Sequence, residues 1–147
     1  MTQTNLTPIG RRETISFPEL KLFNIIAKID TGAYTAALHC REIRLDETQG
    51  TATLHFKLLD ASHPEYNKIT FSFTTFSKRK IKNSSGVFES RYTIKTPIKI
   101  GSKRIMATIS LTDRGGMKYP VLIGRKLLTN RFLVNVSQVN LLEKKVK

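Results

Sequence analysis

The sequence predicts an all-β domain, closed or partly closed on itself, with one short helix towards its C-terminal end. Three observations lead there. Apolar residues recur at every second position over much of the chain, the period of a strand with one wet face. Helical spacing is almost absent. Turn-forming residues stand at intervals that leave segments of ordinary strand length between them.

In chain order, the first such segment is the apolar run IIAKI, residues 25 to 29, which ends at Asp30. Leu54, Phe56 and Leu58 then share one face of TATLHFKLL, and Ile69, Phe71 and Phe73 one face of KITFSFT. RYTIKTPIKIG and KRIMATISLTD continue the alternation: Ile105, Ala107, Ile109 and Leu111 line one side of the second, Met106, Thr108 and Ser110 the other. The helix is expected in GRKLLTNR, residues 124 to 131, where tolerable helix formers follow the apolar run YPVLI. Turns are expected at Gly50, at NSSG (83 to 86), at Gly101 and at Gly115-Gly116, with EKKVK as a solvated tail.

At 147 residues, with 39% hydrophobic and 24% charged, one modest core is affordable, and a single domain over 1–147 is expected. The charge is far from balanced: 25 Lys and Arg against 11 Asp and Glu give a formal +14, which favours anionic partners. Cys40 is the only cysteine, so no internal disulfide can form and a reducing compartment suits the chain. No segment has the length and apolarity of a signal peptide or a spanning helix. A soluble, cytoplasmic protein that does not engage a membrane is expected.

Asp30 poses the functional question. A carboxylate at the end of an isoleucine-rich strand is in the least comfortable place for a charge, since burying it unpaired costs several kcal/mol. Asp30-Thr31-Gly32-Ala33, preceded by IIAKI, resembles the active-site loop of the aspartic peptidases, and YPVLIGRKLLTN resembles the C-terminal strand-and-helix signature of retropepsins. With IGRRETISFPEL, KNSSGVFESRY and VLIGRKLLTNRFLVN, the chain is similar over roughly residues 9 to 139 to a bacterial retropepsin-like peptidase family. That family also carries the description "ATP-dependent zinc protease" and is linked to ATP-grasp glutamate ligases.

The resemblance implies a retropepsin-like closed barrel and an aspartic peptidase in which Asp30, Thr31 and Gly32 form the catalytic loop. Two carboxylates held close together cannot both ionise cheaply, so one acts as general base towards a water and the other as general acid towards the scissile carbonyl. Only one such triplet is present; Asp46, Asp60 and Asp113 stand in other contexts. The partner carboxylate is therefore expected from a second copy across a two-fold axis, making the active state a homodimer. A hairpin carrying NSSG would supply a flap over the cleft.

Ala33, Ser84, Ser85 and Arg91 are the expected substrate contacts, Arg91 because its planar fork can hold a carboxylate bidentately. The run SKRKIK (77 to 82), with Arg91, Lys95 and Lys99, brackets the flap and would draw in acidic chains. The expected substrate is an acidic peptide; its extension to polyglutamate-like tails, and a working link to an ATP-grasp glutamate ligase, come from the resemblance. Three positions depart from the family pattern: Tyr34 where arginine is common, Ala36 where serine is common, and Asn135 where aspartate is expected.

The zinc and ATP of the family description find no support in the residues. The histidines are His39, His55 and His63, with no H-E-x-x-H and no phosphate-cradling G-x-x-x-x-G-K-[ST], so no metal and no cofactor are expected. Asp60 and Asp113 read most simply as turn residues, the latter with Arg114 as an alternative partner. Two other functions stay open: a basic β-barrel binding RNA, for which Phe71, Phe73, Phe76 and Phe88 could stack on bases, and a peptide-binding module of the same fold without catalysis.

Overall fold

The computed structural model describes residues 5–48, 50–59, 66, 68–82, 85–113 and 118–143. Its strands are β1 (Thr7–Ile9), β2 (Arg12–Phe17), β3 (Leu22–Ile29), β4 (Ala36–Asp46), β5 (Thr53–Leu58), β6 (Thr70–Phe73), β7 (Ser77–Lys82), β8 (Phe88–Ile100), β9 (Lys103–Thr112), β10 (Val121–Ile123) and β11 (Phe132–Val134). Among the described residues one helix, α1, spans Arg125–Leu128, and a 3-10 turn spans Pro18–Leu20. The expected turns hold at Gly50 and Gly101, both with positive φ. Gly115-Gly116, Asp60, His63, Arg114, Ser84 and most of the basic tail lie outside the described residues.

Six strands close into a barrel, as predicted: β10, β3, β2, β8, β9 and β4 pair in that order, and β4 pairs back onto β10. Closure rests on β4. Its first residues pair with β9 in parallel and with β10 in antiparallel, while Cys40 to Asp46 leave the ring to pair with β5. A register shift between Arg41 and Arg44, with Glu42 at positive φ, makes that change of partner possible. Beyond the ring, β5 and β6 extend one side, β7 forms a hairpin with β8, and β1 and β11 make a separate parallel pair.

Period-two patterning places the core. Ile15, Phe17, Ile25, Ala27, Ile29, Ile94, Ile98, Ile100, Ile109, Leu111, Val121 and Ile123 are buried in one cluster with Leu54, Phe56 and Leu58. Each of these side chains larger than alanine stabilises the fold by about 1.5–3 kcal/mol when withdrawn from water. Phe71 and Phe73 stack on Phe56, which makes them packing residues. Ile69, expected in the same strand, precedes it and is exposed, because the chain enters β6 through Lys68 at positive φ. The helix is shorter than predicted: Thr129 leaves helical geometry, and Arg131 returns at once into β11.

Among the described residues one inward position is acidic. Glu13, on the core face of β2 between Gly10 and Ile15, is fully buried. Its carboxylate accepts hydrogen bonds from the backbone N–H groups of Gly10 (2.7 Å), Leu141 (2.9 Å) and Leu142 (3.2 Å). A buried carboxylate is tolerated when donors surround it, and here they tie the C-terminal strap to the start of β2. Glu13→Ala strands those donors and is expected to destabilise the protein by about 3 kcal/mol, read as a lower denaturant midpoint. Glu13→Gln, which keeps two acceptor positions, should cost less.

Candidate active site

Asp30 follows the last residue of β3 and keeps its backbone pairing: its N–H donates to the Ile123 carbonyl on β10 at 2.9 Å. Ile29 turns into the core, so its chain neighbours Lys28 and Asp30 turn to the opposite face. The tight turn that follows is held by the Ala33 N–H on the Asp30 carbonyl (3.2 Å) and by the Gly32 N–H on Asp30 Oδ1 (3.0 Å). The second bond fixes the carboxylate relative to its own loop. Gly32 gives the carboxylate room: its φ is not positive, and a Cβ there would stand 3.3 Å from Asp30 Oδ1, so that side chain would have to shift slightly.

The helix signature braces this loop from behind. Arg125 N–H donates to the Ala33 carbonyl (2.8 Å) and Lys126 N–H to the Tyr34 carbonyl (2.9 Å), while the Arg125 guanidinium donates to the Thr31 carbonyl (3.0 Å) and lies over the Tyr34 ring. Such close approach requires Gly124, where a Cβ would fall 2.6 Å from the Tyr34 carbonyl oxygen. The two motifs, more than ninety residues apart in sequence, are one structural unit. Arg125 as a loop brace was not read from the sequence; its signal was the arginine directly after Gly124.

The departures from the family pattern have local roles. Ala36 is buried in β4, and its carbonyl accepts from Ser110 Oγ (3.1 Å). Asn135 caps a turn by accepting from the N–H (3.0 Å) and Oγ (2.7 Å) of Ser137.

Of the expected substrate contacts, Ala33 is in the loop. Ser85 and Arg91 lie on the β7–β8 hairpin, which pairs from Ser77 opposite Thr93 to Lys82 opposite Phe88. Arg91 is engaged by a neighbour, its Nε and Nη2 both donating to Glu89 Oε1, so its fork is already occupied. Arg79 stands directly across from Arg91 on the same face, while on the other face Lys78 sits over the Tyr92 ring and Lys82 over the Phe88 ring.

A second group of cations begins at Lys28, two residues before Asp30. Arg12 on β2 stands directly across from Lys28 on β3. Arg12 Nη1 donates to the Tyr119 hydroxyl at 2.6 Å and the guanidinium lies over that ring, as does the Lys118 ammonium at 5.5 Å. The Arg12 hydrogen bond, with the nearby positive charges, holds the Tyr119 phenol below its usual range.

Among the described residues no three His, Cys, Asp or Glu side chains gather where they could hold a metal. His39 and Cys40 are both buried in β4, and burial, with Asp113 nearby, pushes the Cys40 thiol upward. No described helix is long and apolar enough to cross a membrane.

The model of one protein family, the retropepsin-like aspartic endopeptidase RimB, matches residues 8–145. The chain belongs to the RimB-like family. Among curated proteins, this RimB-like chain is similar to probable alpha-L-glutamate ligases of Desulfotalea psychrophila (32% identical over 86% of the chain) and Shewanella halifaxensis (34% over 88%). It spans 27% and 28%, respectively, of the length of those relatives. Among solved structures, a protein of unknown function from Legionella pneumophila matches with a TM-score of 0.71 at 24% identity, over 92% of this chain and 98% of that one. That likeness speaks for the RimB-like fold alone.

Proposed function

We propose that the chain is an aspartic peptidase that hydrolyses acidic, glutamate-rich peptides through a dyad formed by Asp30 from two copies. The observation that carries this reading is the Asp30 loop: a carboxylate at the end of a core strand, oriented by the Gly32 N–H and backed by α1. One copy supplies one such carboxylate, and a shared proton between two is what lets one act as base and the other as acid. Thr31 belongs to the loop and Gly32 leaves room for the carboxylate. The β7–β8 hairpin, with Ser85 in its connection, serves as the flap.

The substrate class rests on two supports. The formal charge of +14 favours an anionic chain. The relatives are named as glutamate ligases, and the matching region is about a quarter of their length, which suits a module that trims what glutamate ligation builds. Arg91, held by Glu89, then shapes the hairpin and meets substrate only if that pair opens.

The test is turnover of a hexaglutamate-containing peptide by purified protein, followed by mass spectrometry with and without a chelator. Cleavage that persists under chelation supports the aspartic reading; cleavage restored only by zinc defeats it. Sedimentation beside activity across a dilution series should show specific activity falling as dimer gives way to monomer. A fully active monomer at every concentration excludes a shared dyad.

A further inference from the structure

We infer that Arg12, Lys28 and Lys118, organised around Tyr119, form a carboxylate-binding subsite that selects an acidic side chain beside the scissile bond. The inference rests on the reading of Asp30 as half of the dyad and adds which residues read the substrate. Position comes first. Lys28 and Asp30 are two residues apart on the face turned away from the core, about 6.7 Å along an extended chain, the spacing at which successive same-face groups of a bound strand would meet them.

Charge comes second. Arg12 and Lys28 are cross-strand partners on one face, a pairing of like charges that costs stability in a sheet. Lys118 adds a third cation over the Tyr119 ring. Among the described residues none of the three pairs with a carboxylate; the ion pairs there join His55 to Asp46, Lys57 to Glu42, Arg91 to Glu89 and Arg104 to Glu19. Uncompensated repulsion next to a candidate active site is relieved when an anion enters.

Preorganisation comes third. The Tyr119 hydroxyl accepts from Arg12 Nη1 and its ring lies beneath the guanidinium, which restrains one end of a flexible side chain and leaves the other donors of the fork for a ligand. A surface arginine kept only for solubility needs no such support. Tyr119 is thus a positioning residue acting through Arg12, while Lys28 supplies a second donor on the Asp30 side. The ligand that fits is the side-chain carboxylate of a glutamate or aspartate in an extended peptide.

The experiment uses paired hexaglutamate peptides that differ only by Glu→Gln at the residue flanking the cleaved bond, with the bond located by mass spectrometry. Wild type should prefer the glutamate peptide in kcat/KM. Arg12→Gln and Lys28→Gln should each lower the Glu-to-Gln preference by roughly tenfold to a hundredfold, the worth of one charge-assisted hydrogen bond. Tyr119→Phe should lower it by a smaller factor, through KM more than kcat. Equal losses on both peptides, or an unchanged ratio in both Arg12→Gln and Lys28→Gln, would overturn the subsite. If wild type cleaves neither peptide, the peptidase reading fails by itself. Fluorescence anisotropy of the same peptides on the intact protein then decides the subsite: weaker binding of the glutamate peptide alone in Lys28→Gln supports it, and no difference between the peptides rejects it.

Discussion

Asp30→Asn is expected to abolish hydrolysis of glutamate-rich peptides, by a factor of about 10⁴ or more, while leaving a folded domain. An amide can neither share the proton of a dyad nor relay it between water and leaving group. The fold should survive because the loop's backbone hydrogen bonds, from Ala33 to the Asp30 carbonyl and from Asp30 to Ile123, do not involve the side chain. The bond from the Gly32 N–H to Oδ1 can be kept by the amide oxygen. Peptide turnover with circular dichroism as folding control checks this, and equal rates for variant and wild type would remove Asp30 from the chemistry. Activity should also fall below about pH 4.3, where substrate glutamates lose their charge, and fade with rising salt, since exposed charges are screened over roughly 8 Å at physiological ionic strength.

Gly124→Ala carries the second largest expected effect, and it joins fold to site. The added methyl would stand 2.6 Å from the Tyr34 carbonyl oxygen and 2.8 Å from that of Ala33, both backbone atoms at the Asp30 loop. Neither can retreat without breaking the bonds that Arg125 and Lys126 donate to those carbonyls. Either the helix or the loop must shift, so we expect about 2–4 kcal/mol of lost stability, together with a hundredfold or greater loss of turnover in the fraction that stays folded. Thermal unfolding beside active-site-normalised kinetics separates the two. A variant of wild-type stability and rate would show that the loop needs no support from α1.

The sequence by itself determined the fold class, most strand faces and the candidate loop. Period-two alternation in segments such as TLHFKL and KRIMATISLT leaves one way to bury the apolar set, and both form strands with those faces inward. The loop was legible because Asp30-Thr31-Gly32 and the later Gly124-Arg125 are local signatures, each recognisable without its neighbour. Tertiary structure alone decided what depends on pairing distant segments. Ring closure through β4, the parallel pairing of Thr7–Ile9 with Phe132–Val134 and the burial of Glu13 under the C-terminal strap carry no local sequence mark. The same holds for the cations. Arg91 stood out as a carboxylate fork, yet Glu89, two residues away on the same strand face, occupies it. Arg12, Lys28 and Tyr119 carry no local sequence mark; strand register sets Arg12 across from Lys28, two residues before Asp30, and Arg12 reaches Tyr119. Periodicity says which face a residue occupies; only register says which charges share that face, and electrostatic function depends on the second.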